Sequence, residues 1–186
     1  STLAGPGDLI ALDQRAHASL VDGARASGAM VRSFPHATTG KLARLLDRGG
    51  HRRAVIATES LFSMDGDVPD LGALVELKDR YDATLVLDEA HALACLGPDG
   101  RGLAADAGLL DRVDCLVGTC SKALGGVGGL VAGPGPLIDL LVNRARAFIF
   151  STALPAAACE AVQAALETAV AEPDRRRRLA DNAAWL

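Results

Sequence analysis

The segment Val117-Gly118-Thr119-Cys120-Ser121-Lys122 carries an apolar run into a lysine flanked by hydroxyl residues, with Gly125 and Gly126 close behind. A lysine placed just after a buried strand loses its proton more readily through desolvation and then attacks an aldehyde. Thr119 and Ser121, with backbone N–H groups freed by a turn, suit a phosphate. Read alone, the same letters also describe an ordinary surface lysine. Upstream, Leu85-Val86-Leu87-Asp88 places a carboxylate at the end of an apolar run, where an unpaired charge is costly. Asp88 therefore calls for a cationic partner, which the protonated ring nitrogen of a ligand would supply; the plain alternative is a structural aspartate capping a helix.

These residues need elements to hold them. Short apolar runs at Leu9–Leu12, Met30–Phe34, Ala54–Ala57, Thr84–Leu87, Cys115–Val117 and Gly129–Ala132 read as strands. Helical periodicity marks Ala18–Ala26, Lys41–Asp47, Leu71–Tyr81, Leu137–Ala147 and Ala156–Val170. The repeated strand–helix order predicts an α/β fold of three layers, α/β/α, around a mainly parallel central sheet. Such sheets bind ligands at the carboxyl ends of their strands. Asp13 and His17 follow the first strand, Glu59 to Ser63 the third, Asp88 to His91 the fourth and Thr119 to Lys122 the fifth, so four strand ends point to one pocket.

Composition narrows the classes further. A chain of 186 residues that is 49% apolar has the size of one domain with a sizeable core. A net charge of −4 provides no basic field for nucleic acid or anionic membrane, and the run Arg175 to Arg178 reads as a solvated helix face. The least charged stretch, Ala123 to Ile138, holds six glycines and two prolines, a loop composition and not a membrane helix. Cys95, Cys115, Cys120 and Cys159 form no C-x-x-C pair and no zinc spacing with the histidines, so no metal and a reduced, cytoplasmic protein are expected. Ser1 to Asp8 lacks the basic start and apolar run of a signal peptide. Asp88-Glu89-Ala90-His91 also spells the signature of a DEAH-type nucleotide hydrolase, but no G-x-x-x-x-G-K-[ST] phosphate loop accompanies it.

Five segments in order, His17-Ala18-Ser19, Phe62-Ser63-Met64-Asp65-Gly66-Asp67, Asp88-Glu89-Ala90-His91, Thr119-Cys120-Ser121-Lys122-Ala123 and Phe148-Ile149-Phe150-Ser151-Thr152-Ala153-Leu154-Pro155, resemble the signatures of the α-oxoamine synthases. The resemblance implies the large domain of fold-type I enzymes and pyridoxal 5'-phosphate as cofactor. It implies that Lys122 holds the cofactor covalently and then serves as base, that Asp88 pairs with the pyridine nitrogen and that His17 stacks on the ring. Ser63 and His91 would approach the phenolic oxygen, Thr119 would bind the phosphate, and Thr152 would reach the phosphate in the partner subunit of a homodimer. The implied reaction is an acyl transfer, joining an amino acid to an acyl thioester of coenzyme A or acyl-carrier protein with loss of carbon dioxide. A ligand-sensing domain without turnover is the alternative.

By that resemblance residues 1–172 form the cofactor-binding domain and 173–186 begin a small C-terminal domain, with the family's N-terminal segment and most of the small domain outside this sequence. One departure concerns the stretch after His91, where the family's G-x-G-x-x-G becomes Ala92-Leu93-Ala94-Cys95-Leu96-Gly97. The added methyl groups crowd a place where backbone and ligand come close. His36 and His51 lie outside these segments and read as surface residues.

Overall fold

A computed structural model describes residues 1–185. Six strands, β1 (Leu9–Asp13), β2 (Met30–Phe34), β3 (Ala54–Glu59), β4 (Thr84–Asp88), β5 (Cys115–Thr119) and β6 (Gly129–Ala132), form one sheet in the order β2-β1-β3-β4-β5-β6. All neighbours are parallel except β6, which runs antiparallel to β5. The helices are α1 (Ala18–Arg25), α2 (Thr39–Asp47), α3 (Leu71–Arg80), the single turn α4 (Leu103–Asp106), α5 (Gly135–Arg144), α6 (Arg146–Ile149), α7 (Ala156–Ala171) and α8 (Asp174–Trp185). The mainly parallel sheet predicted from the strand–helix alternation is present.

The period of two along each strand explains the layers. Leu9, Ala11, Ala54, Ile56, Leu85 and Leu87 point to one side and pack with Leu42 and Leu46 of α2 and Leu74 and Val75 of α3. Ile10, Leu12, Val55, Ala57 and Val86 point to the other, against Ala24 of α1 and the N-terminal Ala4. The central strands are buried on both faces, so their apolar runs are continuous, as parallel sheets require.

The sequence turns one way from β1 to β2 and the other way to β3, so a topological switch point lies between the carboxyl ends of β1 and β3. Past β5, the chain closes a tight loop before β6, with Cys120 N–H donating to Gly128 O at 2.9 Å and Gly126 N–H to Cys120 O at 2.7 Å. α7 crosses this loop so closely that a Cβ at Gly126 would lie 2.4 Å from Val162.

The stretch after β4 folds into a compact ring, in which Ala94 N–H donates to Gly100 O at 2.7 Å. Ala92 is fully buried and Ala94 adopts φ 63°, so the alanine that departs from the family pattern sits in the left-handed region that favours glycine. An L-residue there costs on the order of 1 kcal/mol. Ala94→Gly is therefore expected to raise stability by roughly 0.5 kcal/mol once glycine's greater unfolded-state freedom is subtracted; urea unfolding of both proteins measures it, and a loss of stability would show that the methyl group packs favourably.

Candidate active site

The carboxyl ends of β1, β3, β4 and β5 open into one cleft of about 360 Å³, lined by His17, Glu59, Asp88, His91, Thr119 and Lys122 among others. Six residues singled out from the sequence thus meet there: His17, Asp88, His91, Thr119, Ser121 and Lys122. Ser63 and Thr152 do not line it. Ser63 is exposed in the loop after β3, and Thr152 is exposed in the segment before α7. A second cavity of about 390 Å³ lies between the Ala94–Cys95 stretch and α7 and α8. Its polar groups are occupied with one another, Arg175 with Glu172 and Arg176 with Ala169 O, so it offers no converging donors.

His17 occupies the N-cap of α1, where Nδ1 accepts from Ser19 N–H at 3.3 Å. Its own backbone N–H donates to Glu59 Oε1 at 2.7 Å, a bond that spans the switch point between β1 and β3. The ring is exposed and its flat face is available to a planar ligand.

Strand register sets Glu59 beside Asp88, since the two are direct partners on β3 and β4. Side chains so paired share a face, and two carboxylates end up together. Asp88 is 8% exposed, and its Oδ1 accepts from Ala90 N–H at 2.9 Å. Among the described residues, no cationic side chain pairs with it. Glu59 is buried, and that burial, reinforced by the charge of Asp88, holds its carboxyl above the usual range against the opposing pull of the His17 N–H. Glu59 went without a role in the sequence reading; the signal that marked Asp88, a carboxylate ending an apolar run, marks it too.

Glu89 points the opposite way, as the alternation of a strand end dictates. It is fully buried and accepts from Ser60 Oγ at 2.6 Å, Leu103 N–H at 3.1 Å and Ala104 N–H at 2.8 Å. A Cβ on Gly102 would come within 2.6 Å of that carboxylate. Glu89 thus anchors α4 and is closed to any nucleotide, which removes the DEAH hydrolase reading.

Lys122 is one of three lysines in the sequence. Lys78 is tied to Asp79 and Asp114 at 3.1 and 3.2 Å, and Lys41 lies on α2, away from the cleft. Lys122 is exposed, so the desolvation expected from the sequence is absent from this chain; its Nζ instead lies 2.7 Å from His91 Nε2. Burial, and then the charge of Lys122, lower the His91 pKa, so the imidazole is the acceptor and the ammonium the donor. Thr119 Oγ1 and Ser121 Oγ lie 2.8 Å apart beside Lys122, and Ser121 N–H points at Thr119 Oγ1 at 3.2 Å.

These groups fit pyridoxal phosphate. A buried carboxylate without a cationic partner answers a pyridinium, an exposed flat ring answers its face, a primary amine its aldehyde and paired hydroxyls its phosphate. The aminotransferase class I and II model matches residues 1–186. The chain belongs to that family. It is 50% identical over 177 residues to 8-amino-7-oxononanoate synthase of Anaeromyxobacter sp. (strain K), a match covering 95% of this chain and 44% of that protein. The solved 8-amino-7-oxononanoate synthase of Francisella tularensis aligns over 98% of this chain and 52% of its own, with a TM-score of 0.85 and 31% identity. Serine palmitoyltransferase from S. paucimobilis, solved with a bound PLP–myriocin aldimine, aligns over 98% of this chain and 46% of its own, with a TM-score of 0.94 and 32% identity. The chain spans about half the length of these family members.

His36 corrects the sequence reading. It is not a surface residue: its side chain is 13% exposed, bonded to Asp13 and Asp67, and packed edge-on against Phe62 with ring centroids 4.3 Å apart. His51 remains in a loop, half-buried.

The raised pKa of Glu59 carries a stability signature. Because the folded value lies above an ordinary one of about 4.3, Glu59 supports the fold fully only below that pH, and the contribution is lost as pH rises through the folded value. Gln is neutral throughout and still accepts the His17 N–H. Glu59→Gln is expected to gain stability relative to wild type between pH 4 and 7, whereas Glu59→Ala, which removes the acceptor, loses about 1–3 kcal/mol; denaturant melts across that range give both values.

Proposed function

We propose that the protein to which this chain belongs is a pyridoxal-phosphate-dependent acyltransferase that makes 8-amino-7-oxononanoate for biotin synthesis. The net reaction joins L-alanine to a pimeloyl thioester of coenzyme A or acyl-carrier protein, releasing the thiol and carbon dioxide. The observation that carries the proposal is the meeting of Lys122, Asp88 and His17 in one cleft of a chain 50% identical to 8-amino-7-oxononanoate synthase. The 32% identity to serine palmitoyltransferase makes that substrate pair the second choice, despite the higher TM-score.

Bound pyridoxal phosphate supplies an aldehyde and a ring that, when protonated, draws electrons from the Cα of an amino acid. Lys122 would provide the amine that holds the cofactor and the base that takes the Cα proton. His91 accepts from the Lys122 ammonium and holds its Nζ in the cleft. Asp88 would pair with a protonated ring nitrogen, and Glu59, which accepts the His17 N–H, holds the residue that would stack on the ring. Thr119, with Ser121, would hold the phosphate, and Ser63, exposed in the loop after β3, would have to move inward to meet the phenolic oxygen.

The reading includes a homodimer with shared active sites, in which Thr152 reaches the phosphate in the partner subunit. Phe148, Phe150 and Leu154, at 65%, 72% and 45% exposure around Thr152, support a subunit contact there. It also places residues 173–186 at the start of a small domain, beginning with α8 after Pro173, and the whole protein in the cytoplasm. No helix among the described residues is long and apolar enough to cross a membrane.

Asp88→Asn in the full-length protein tests the reading. The shape is kept and the charge removed, so the ring nitrogen loses its partner. Breaking such a buried pair costs roughly 3–5 kcal/mol; expressed in the transition state this is a fall of about two to four orders of magnitude in turnover. Steady-state rates with L-alanine and pimeloyl-coenzyme A, measured on folded, cofactor-loaded protein, give the answer. Near-normal turnover would mean that Asp88 is not the pyridine partner.

A further inference from the structure

Three loops meet beside the cleft, at the carboxyl ends of β1, β2 and β3, and His36 stands where they meet. Its Nδ1 lies 3.0 Å from Asp13 Oδ1, and its Nε2 is bonded to Asp67 Oδ2. A neutral imidazole carries one N–H, and an ionised carboxylate only accepts. Both bonds are satisfied together when both ring nitrogens are protonated.

Asp13 needs that charge. Its side chain is 1% exposed, and its other bonds come from backbone, Arg15 N–H at 2.9 Å and Ala37 N–H at 3.4 Å. Ala37 adopts φ 52° in doing so, a strained conformation for a residue with a Cβ. Among the described residues no other cationic side chain pairs with Asp13. The nearby Arg15 turns outward to Asp65 and lies 3.9 Å from Asp67. The charged groups around His36 are therefore Asp13 from β1 and Asp67 from the loop after β3, with Arg15 and Asp65 next to them and the Phe62 ring against its edge.

We propose that His36 is a positioning residue for the cofactor cleft, clasping the loop that carries His17 to the loop that carries Ser63 through Asp13 and Asp67. Asp13 stands four residues before His17, and Asp67 four after Ser63. The clasp fixes where both loops leave the sheet, while the Glu59 bond to His17 fixes the inner side of the same junction. Residues that hold a site's loops in this way set its geometry without touching the ligand.

The clasp is sensitive to pH. Burial alone would lower the His36 pKa, but the hydrogen bonds to Asp67 and Asp13 outweigh it and the net shift is upward. A folded value above an unfolded one of about 6.5 makes the clasp's contribution complete below that pH and lost as pH rises through the folded value. Deprotonation leaves one carboxylate without its donor and loosens the two loops.

The role rests on the cofactor reading above, so the test separates the two. In the full-length protein, ¹⁵N-histidine NMR should show both His36 nitrogens protonated at neutral pH, whether or not cofactor binds. Titration of pyridoxal phosphate into apo protein should give a dissociation constant that rises with pH as His36 deprotonates. His36→Gln should weaken binding roughly tenfold to a hundredfold at pH 7 and flatten that alkaline dependence. In Asp67→Asn the amide donates to Nε2 while a neutral His36 donates from Nδ1 to Asp13, so the alkaline decline should disappear while affinity at pH 7 is lowered less than in His36→Gln. A neutral His36 at pH 7, or both variants binding with wild-type affinity and pH profile, would overturn the role alone. Failure of the wild-type protein to bind pyridoxal phosphate would overturn the function proposed above and this role with it.

Discussion

The Asp88 carboxylate is the constraint around which this cleft is organised. It ends a strand that is buried on both faces, it takes one backbone N–H, and no cationic side chain among the described residues offsets its charge. Desolvating an anion in this way is costly unless a positive group completes the site. Register then adds Glu59 at its side, which heightens the local negative charge. Burial and that added charge hold Glu59 toward its protonated form, while across the cleft burial and the charge of Lys122 lower the His91 pKa against the pull of Asp88.

The sheet makes the arrangement possible because a parallel register delivers four strand ends to one edge. Neighbouring letters are sorted by the alternation of the strand, so Asp88 faces the cleft while Glu89 faces inward and holds α4. The same four letters therefore serve two purposes: one carboxylate lines the cleft and the next secures the loop beside it. His17 likewise does double duty, capping α1 and lining the cleft, and Glu59 ties it to the neighbouring strand.

Much of this was legible in the sequence, for identifiable reasons. All six apolar runs are strands, and the signal is unbroken in β1, β3 and β4 because these are buried on both faces. The reading stopped β3 at Ala57, two residues early, since Thr58 and Glu59 are polar though buried, so Glu59 was placed after the strand and given no role. The single turn α4 was too short for periodicity, whereas the arginine run read as a solvated helix face lies on α8. The helix expected over Leu137–Ala147 ends at Arg144, where Ala145 turns extended and a separate turn begins. His36 could not be recognised at all: its partners lie 23 and 31 residues away, and only the fold brings them together.

The central claim is that Lys122 is the residue on which the cofactor is carried, and borohydride reduction of the cofactor-loaded, full-length protein followed by peptide mapping tests it most directly. Within this part of the protein, the pyridoxyl label is expected on Lys122, the one of its three lysines that lines the cleft. A label on Lys41 or on Lys78, with Lys122 unmodified, would contradict the account.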